Sequence, residues 1–298
     1  MFKRMLRKSL IVNIIILAFF SSECFSQVKL KDDLLKELVE RTGQAIVTVH
    51  IIEKNSLNEL SRNVSISSVK DDIVEIVLSP LTIGWFIDQK FDYSLIPDSG
   101  LKGIITSADL AEAMEWETYP SYTQYLSIME AFASGYPAIC DVDTIGTTNY
   151  GKLVLALKLS DNVKTDEDEP EVLYTSTIHG NETGGFILML RLADYLLKNY
   201  GTDSRITRLL SELEIWINPL ANPDGTYLTG NEITAPVRAN ANGYDLNRNF
   251  PDPQVPNNIL QKETRDMIKF MRKHHFVISA NFHAGEEVVN YPWNRWSR

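Results

Sequence analysis

Two kinds of hydrophobic pattern alternate along this chain, namely short runs rich in β-branched residues and longer stretches with helical spacing. In the second half, the short runs predict strands over residues 139–145, 153–159, 172–178, 214–218 and 276–282. The helical spacing predicts helices over residues 123–133, 186–197, 206–213 and 262–274. Strands that alternate with helices predict an α/β fold, with a mostly parallel or mixed sheet covered on both faces.

The first part of the chain, residues 27–105, repeats this alternation on a smaller scale. Helices are predicted over residues 31–41 and 56–62, and strands over residues 44–52 and 73–78. Ser79 followed by Pro80 is typical of the start of a further helix. We therefore expect a small α/β module in residues 27–105, a linker in residues 106–118 and a larger domain in residues 119–298.

The first 26 residues have a pattern of their own. Four basic residues between Lys3 and Lys8 precede an apolar stretch of eleven residues that ends at Phe20. This order is typical of a secretory signal peptide, and eleven residues are too few to span a bilayer comfortably. We predict cleavage before Gln27 and export to the periplasm or the cell exterior, with an uncleaved membrane anchor as the alternative.

Composition narrows the classes of function. The formal net charge of −10 over 298 residues argues against a nucleic-acid partner. The chain has two cysteines, and one of them, Cys24, lies in the predicted signal peptide. Since Cys140 then remains alone, no internal disulfide is predicted, and stability has to come from burial of a core.

Candidate metal ligands follow the predicted strand over residues 172–178. His179 and Glu182 lie on the turn into the next helix, and Gly180 allows that turn to be tight. Catalytic zinc commonly takes three protein ligands of the His, His, Glu type and leaves a fourth position for water. A second histidine should therefore end another strand, and His283 does so. The alternative is a structural histidine beside a solvated glutamate that favours a helix start.

Three further polar residues lie between these candidate ligands. Asn247 and Arg248 offer an amide next to a planar guanidinium, a pair that suits a carboxylate because arginine binds both oxygens at once. Arg238, in a loop rich in glycine and asparagine, is a candidate second cation for a developing oxyanion. The alternatives are a surface ion pair for Arg248 and a solvated side chain for Arg238.

Taken together, four motifs in this order resemble the zinc metallocarboxypeptidases. The motifs are His179-Gly-Asn-Glu182, Asn222-Pro-Asp-Gly225, Asp245-Leu-Asn-Arg-Asn-Phe-Pro-Asp252 and Asn281-Phe-His283. The third motif is closer to the carboxypeptidase E, D, M and N branch than to the pancreatic branch. The resemblance implies a three-layer α/β/α domain with a mixed central sheet, preceded by a prodomain-like module.

The resemblance also implies a ligand set and a cofactor. By position, His179, Glu182 and His283 match the ligands of one zinc ion, and Asp245 matches the carboxylate that orients the first histidine. The implied reaction is hydrolysis of C-terminal peptide bonds by a zinc-activated water.

The remaining matched positions concern the substrate. Asn247 and Arg248 match the pair that holds the terminal carboxylate of the substrate, and Arg238 matches the arginine that polarises the scissile carbonyl. The implied partners are peptide or protein C-termini, with neither nucleic acid nor stable membrane insertion expected. Asn222 to Gly225 is interpreted as a structural turn.

One departure from the family pattern leads to an expectation about activity. The family places its general base, a glutamate, and a substrate-gripping tyrosine well beyond the last zinc histidine, whereas 15 residues follow His283 here. We interpret the sequence as C-terminally truncated and expect little activity, since Glu286 and Glu287 lie too close to His283 to act as the base. The alternatives are a non-catalytic binder of zinc and peptide ends, or an amidase acting on acyl amino acids or cell-wall peptides.

Overall fold

The computed structural model describes residues 29–51, 54–96, 104–165, 167–228, 230–252, 259–285 and 288–291. The predicted signal peptide, residues 1–26, lies outside the described residues, as do Glu286 and Glu287. The chain divides into two compact units, Met1–Asp98 and Ser99–Arg298. Of the helices in the described ranges, none combines the length and apolar character needed to cross a membrane.

The first unit is a four-stranded antiparallel sheet with helices between the strands. Its elements are α1 (residues 29–42), β1 (Ala45–His50), α2 (Lys54–Asn63), β2 (Ser65–Lys70), β3 (Ile73–Leu78), α3 (Ile83–Asp88) and β4 (Tyr93–Ile96). The strand order β2-β3-β1-β4, with a helix after β1 and another after β3, is a split βαββαβ arrangement. An α/β module was predicted here, but its strand order and antiparallel pairing were not.

Two strands and one helix start of this unit differ from the prediction. No strand was predicted at β2 or β4, because β2 is mostly serine and polar residues and β4 has only four residues. Pairing with β3 and β1 supplies the hydrogen bonds that their own sequences do not predict. The helix after Ser79 begins at Ile83 rather than Pro80, and residues 80–82 form a turn in which the Thr82 backbone N–H donates to the Ser79 carbonyl at 3.0 Å.

The second unit follows the predicted alternation of helices and strands. Its elements are α4 (Leu110–Ala113), α5 (Tyr122–Gly135), β5 (Cys140–Thr147), β6 (Leu153–Leu159), β7 (Glu171–Ser176), α6 (Gly184–Asn199), α7 (Ser204–Leu210), β8 (Glu214–Asn218), α8 (Pro223–Tyr227), a 3-10 helix (Leu246–Arg248), α9 (Lys262–Lys273) and β9 (Phe276–Phe282). The predicted helix over residues 206–213 is α7, which begins earlier because the Asp203 carboxylate caps its first backbone N–H groups.

The five strands of this unit form one mixed sheet in the order β5-β6-β8-β7-β9. The pairs β7–β8 and β7–β9 are parallel, whereas β5–β6 and β6–β8 are antiparallel. The predicted mixed sheet is therefore confirmed. Since β7 and β9 run in parallel and in contact, the segments that follow their last residues emerge at the same edge of the sheet.

Helices pack on both faces of β6 and β8 and make three layers, whereas most residues of the edge strand β9 are exposed. Neighbouring residues of β8 point to opposite faces of the sheet. Ile217 packs with α5 and α6, whereas Trp216 packs with Phe270 of α9. In β6, Leu157 packs in the cluster with α5 and α6, and Ala156 packs in the cluster with α9. Both faces being buried explains why these strands read as continuous apolar runs rather than alternating ones.

Cys140, at the start of β5, is 1% exposed, and burial raises the pKa of its thiol to about 12. Because the thiolate is the reactive form, we expect this thiol to resist alkylation in the folded protein and to react fully after unfolding. A Cys24→Ser variant, treated with iodoacetamide with and without denaturant and followed by mass spectrometry, checks this expectation. Rapid labelling under native conditions would contradict the burial of Cys140.

Candidate metal centre

The turn between β7 and α6 carries the first two candidate ligands. His179 is buried, with 1% of its surface exposed, and Glu182 lies three residues further along the turn. Thr177, just before this turn, has a φ of 56°, which is uncommon for a β-branched residue. Its hydroxyl donates a hydrogen bond to the Glu182 carbonyl at 3.1 Å and so closes the turn on itself.

The third candidate ligand, His283, directly follows β9. Because β9 lies beside β7 in parallel, His283 is brought next to His179 from a position 104 residues away in the chain. The two Nδ1 atoms lie 3.1 Å apart. The juxtaposition required by the sequence prediction is therefore present.

Three potential ligand atoms converge at this point. The His179 Nδ1 atom lies 2.8 Å from Glu182 Oε1, and the His283 Nδ1 atom lies 2.9 Å from Glu182 Oε2. A tetrahedral zinc ion with ligands at about 2.0–2.2 Å separates its ligand atoms by about 3.3–3.6 Å, so small side-chain movements would open the group to that spacing. Two imidazole nitrogens and one carboxylate are a donor set that suits zinc.

Asp245 completes the surroundings of His179 from the other side of the ring. Its Oδ1 atom lies 2.9 Å from His179 Nε2 and accepts a hydrogen bond from the Asn247 backbone N–H, also at 2.9 Å. Burial alone would raise the pKa of Asp245, but His179, Arg238 and Arg248 hold that pKa well below its ordinary value. A carboxylate on Nε2 fixes the ring orientation and leaves Nδ1 as the ligand atom.

Arg238 is buried and paired rather than solvated. It is 8% exposed, its guanidinium donates to Glu182 Oε1 at 3.0 Å, and its Nε atom lies 3.4 Å from Asp245 Oδ2. The alternative of a solvated Arg238 side chain is therefore wrong. The tertiary structure brings a fixed positive charge to the edge of the three-residue ligand group.

Asn247 and Arg248 lie on the short 3-10 helix whose N-cap is Asp245. Both residues are exposed, and an Arg248 guanidinium N–H donates to the Asn247 carbonyl at 3.2 Å. Because Asp245 contacts His179, these two exposed polar side chains lie beside the candidate ligands His179, Glu182 and His283.

The same segment of the chain matches a known protein family. A family model described as zinc carboxypeptidase matches residues 125–297, which is more than half of the chain. The chain belongs to the zinc carboxypeptidase family. The expected resemblance is thus confirmed, and the family is one of peptidases.

Relatives within this family share part of the chain at moderate identity. Carboxypeptidase D of Rattus norvegicus is 39% identical over 170 residues, which cover 56% of this chain and 12% of that protein. Carboxypeptidase M of Mus musculus is 37% identical over 174 residues, which cover 56% of this chain and 39% of that protein. The carboxypeptidase N catalytic chain of Homo sapiens is 36% identical over 193 residues, covering 53% and 41%. The matches thus span well under half the length of these relatives.

Solved structures share the fold at lower identity. Carboxypeptidase A from Helicoverpa armigera aligns with a TM-score of 0.56 and 18% identity, covering 82% of this chain and 70% of that one. Thrombin activatable fibrinolysis inhibitor aligns with a TM-score of 0.51 and 17% identity, covering 80% and 70%. The fold of this family member is therefore the expected three-layer α/β architecture.

The sequence alone did not single out the hydrogen-bond network that holds the loop between Arg238 and Asp245. Asn240 is 3% exposed, and its side-chain amide donates to Gln261 Oε1 at 3.3 Å and to Glu263 Oε2 at 3.2 Å. Its side-chain oxygen accepts from the Tyr244 backbone N–H at 3.0 Å. The many asparagines of the loop were a signal for such bonds, but the partners, Gln261 just before α9 and Glu263 in its first turn, are more than twenty residues away in the chain.

Glu263 makes the stability of this region depend on pH. Burial raises the pKa of its carboxyl above the ordinary value of 4.5, so the folded state holds this proton more tightly than the unfolded state. The contribution of Glu263 to the free energy of unfolding is therefore greatest below about pH 4.5 and falls as the pH rises through the raised pKa.

We accordingly expect Glu263→Gln to gain stability relative to the wild type as the pH is raised from about 4.5 to about 7.5, because glutamine does not ionise. Thermal unfolding of both proteins at a series of pH values measures the difference in Tm. Glu130→Gln, on the exposed side of α5, is the control for replacing a surface carboxylate by an amide. A Tm difference for Glu263→Gln that does not change with pH would contradict the assignment.

Proposed function

We propose that this chain is the zinc-binding part of a secreted carboxypeptidase that hydrolyses the C-terminal peptide bond of peptides or proteins. The observation that carries the proposal is the convergence of His179 Nδ1, His283 Nδ1 and the Glu182 carboxylate, with Asp245 on the far side of the His179 ring. Three such ligands and one open position are typical of catalytic rather than structural zinc.

His179, Glu182 and His283 would hold the ion. A bound zinc ion acts as a Lewis acid and lowers the pKa of a bound water toward about 7. Asp245 keeps the proton of His179 on Nε2, because its Oδ1 atom lies 2.9 Å from that nitrogen. The Ala284 backbone N–H donates to Glu182 Oε2 at 3.0 Å and limits rotation of that carboxylate.

Arg238 is the candidate donor for the oxyanion that develops on the scissile carbonyl. Glu182 and Asp245 hold its guanidinium at the edge of the ligand group, so its position is set before substrate arrives. A donor that needs no reorganisation stabilises developing charge more than a mobile one does.

Asn247 and Arg248 are the candidate binding pair for the terminal carboxylate of the substrate. Their side chains are exposed next to the ligand group, and an amide beside a guanidinium matches the two oxygens of a carboxylate. Such a pair would restrict the enzyme to the last peptide bond, because an internal residue offers no free carboxylate.

The proposal is tested with zinc and with matched substrates. We expect the chain to bind one zinc ion per molecule, measured by competition with a chelator. In a preparation that turns over blocked dipeptides, we expect chelator to stop cleavage and C-terminal amidation of the substrate to abolish it. Absence of zinc binding would refute the proposal, and equal turnover of the amidated substrate would favour an amidase instead.

For such an active preparation, we expect Arg248→Ala to weaken substrate binding by about 1.5–3 kcal/mol, because a charge-assisted contact is lost. The effect should appear mainly in KM if the contact is equally strong in the ground and transition states. Steady-state kinetics with a blocked dipeptide measure it. The control is Arg208→Ala, which removes an exposed arginine of α7 that is paired with Glu212. Unchanged kinetics in Arg248→Ala would contradict the role.

Export is the second part of the proposal. It is supported by the basic and apolar pattern of residues 1–26. Expression of the chain in a secreting host, followed by N-terminal sequencing of the exported product, should give Gln27 as the first residue. Retention of an intact N-terminus in the membrane fraction would favour the uncleaved anchor.

A non-catalytic binder of zinc and peptide ends is the second candidate function. The observation in its favour is that, within the described part of the chain, the carboxylates in contact with His179 or His283 are Glu182 and Asp245. Both are engaged in holding the ligand group, so neither is available as a general base. Zinc binding by the 298-residue chain without any turnover of blocked dipeptides would favour this binder, and robust cleavage by the zinc-loaded chain would exclude it.

A further inference from the structure

The segment from Asn222 to Thr226 includes the predicted structural turn, Asn222 to Gly225, and lies between the backbone segments of His179 and Arg238. Asn222 is 0% exposed and Thr226 is 1% exposed. Their side chains bond to the backbone of these segments rather than to the ligand side chains. A fully buried amide that joins separate segments is a candidate for setting their separation.

The Asn222 side-chain amide faces three carbonyl oxygens at once. It donates to Ile178 at 3.1 Å, to Ala239 at 3.2 Å and, at a longer 3.4 Å, to Arg238. Ile178 immediately precedes His179, so one side-chain group bridges the residue before the first ligand and the buried arginine. The Asn222 oxygen accepts from the Gly225 backbone N–H at 2.9 Å, which fixes the amide in this orientation.

The rest of the turn makes a second bridge between the same segments. The Thr226 hydroxyl donates to the Gly180 carbonyl at 2.8 Å, directly after His179. The Gly180 backbone N–H in turn donates to the Arg238 carbonyl at 3.2 Å, and the Val237 N–H donates to the Gly225 carbonyl at 2.8 Å. The backbone on both sides of His179 and on both sides of Arg238 is therefore tied to one turn.

We infer that Asn222 is a positioning residue of the metal centre, whose side-chain amide fixes the backbone of His179 relative to that of Arg238. The inference rests on the zinc site of the proposed function and adds a residue that touches neither ion nor substrate. Loss of the amide would leave three carbonyls without this donor and let the two segments move apart. Because partners outside the ligand set typically change metal affinity about 10- to 100-fold, the effect should be measurable as zinc affinity.

A purely structural residue and a positioning residue predict different results. Asn218, in β8, is a matched case because it is also 0% exposed and its side-chain amide donates to one backbone carbonyl, that of Leu155, at 2.7 Å. Its replacement removes a buried amide of the same kind without touching the segments of His179 or Arg238. Loss of thermal stability is expected in both variants, whereas loss of zinc affinity is expected only for Asn222.

The experiment compares Asn222→Ala, Asn218→Ala and the wild type of the full chain. Zinc affinity is measured by chelator competition well below the Tm of each variant, and the nitrogen chemical shifts of the His179 ring are measured by NMR in the metal-free proteins. We expect Asn222→Ala to bind zinc at least tenfold more weakly and to alter the His179 shifts, with Asn218→Ala unchanged in both. Thr226→Val, which removes the second bridge, replaces Asn222→Ala if that variant does not fold and should weaken zinc binding in the same direction.

The outcomes separate this inference from the function on which it rests. A wild type that binds no zinc refutes the proposed function and this inference with it. A wild type that binds zinc, with Asn222→Ala or Thr226→Val equal to it in affinity and in His179 shifts, refutes the positioning role alone. An equal loss of zinc affinity in Asn218→Ala also refutes the positioning role, because removal of a buried amide elsewhere in the fold would then have the same effect.

Discussion

Replacing His179 by alanine should remove zinc binding from this protein. The side chain is 2% exposed and supplies one of three converging candidate ligand atoms, so its loss would leave two side chains to hold the ion. The loss of affinity should exceed the about 10- to 100-fold that residues outside the ligand set typically cost. Chelator competition on folded His179→Ala measures it, and retention of wild-type affinity would exclude His179 as a ligand.

His274→Ala is the matched control for that measurement. The side chain of His274 is also largely buried, with 11% of it exposed. It too has a carboxylate partner, since its Nδ1 atom lies 2.7 Å from Glu171 Oε2. Its ring packs against Trp216 and Phe270 rather than facing the ligand group. We therefore expect His274→Ala to lose stability while keeping its affinity for zinc, which separates loss of a ligand from loss of a buried imidazole.

Gly180→Ala should have the largest effect on stability of any single methyl group added near the site. A Cβ atom at Gly180 would lie 2.2 Å from the carbonyl carbon of Gly225, and this neighbour is backbone that cannot rotate away. Overpacking typically costs about 1–3 kcal/mol, and contact with rigid backbone puts this case at the upper end of that range or above it. Urea unfolding measures the change in the free energy of unfolding.

Gly184→Ala provides the control for the methyl group itself. Gly184 is the first residue of α6, and a Cβ atom there would meet nothing within 4 Å. Alanine is favoured over glycine in a helix by about 0.5–1 kcal/mol, so this variant should be as stable as the wild type or more so. If both glycine variants unfold at the same urea concentration, the close approach of the turns at Gly180 and Gly225 is wrong.

The fold class could be predicted because its signal is local. The strands β6, β8 and β9 begin and end at the predicted residues, since each is a short apolar run bounded by polar or turn residues. The sheet order could not be read in this way. The pairing of β7 with both β8 and β9 depends on which faces the helices cover, and that is decided by packing of the whole unit.

The weak strands of the first unit show the opposite case. In β2, Ser65, Ser67 and Ser68 give little preference for a strand, yet the segment pairs with β3. Its backbone hydrogen bonds come from a neighbour whose apolar residues are buried. Strand formation there is a consequence of context rather than of the residues themselves.

The sequence by itself determined which residues are candidates for the metal centre. A strand end and a short motif can both be recognised from residues that are neighbours in the chain. This holds for His179, Glu182 and His283, and the motifs likewise single out Asp245 as their partner. Only the tertiary structure decided that Arg238 is buried between two carboxylates and that Asn222 joins the segments of His179 and Arg238. Those contacts connect residues far apart in the chain, so their geometry depends on how the layers pack, which no local pattern encodes.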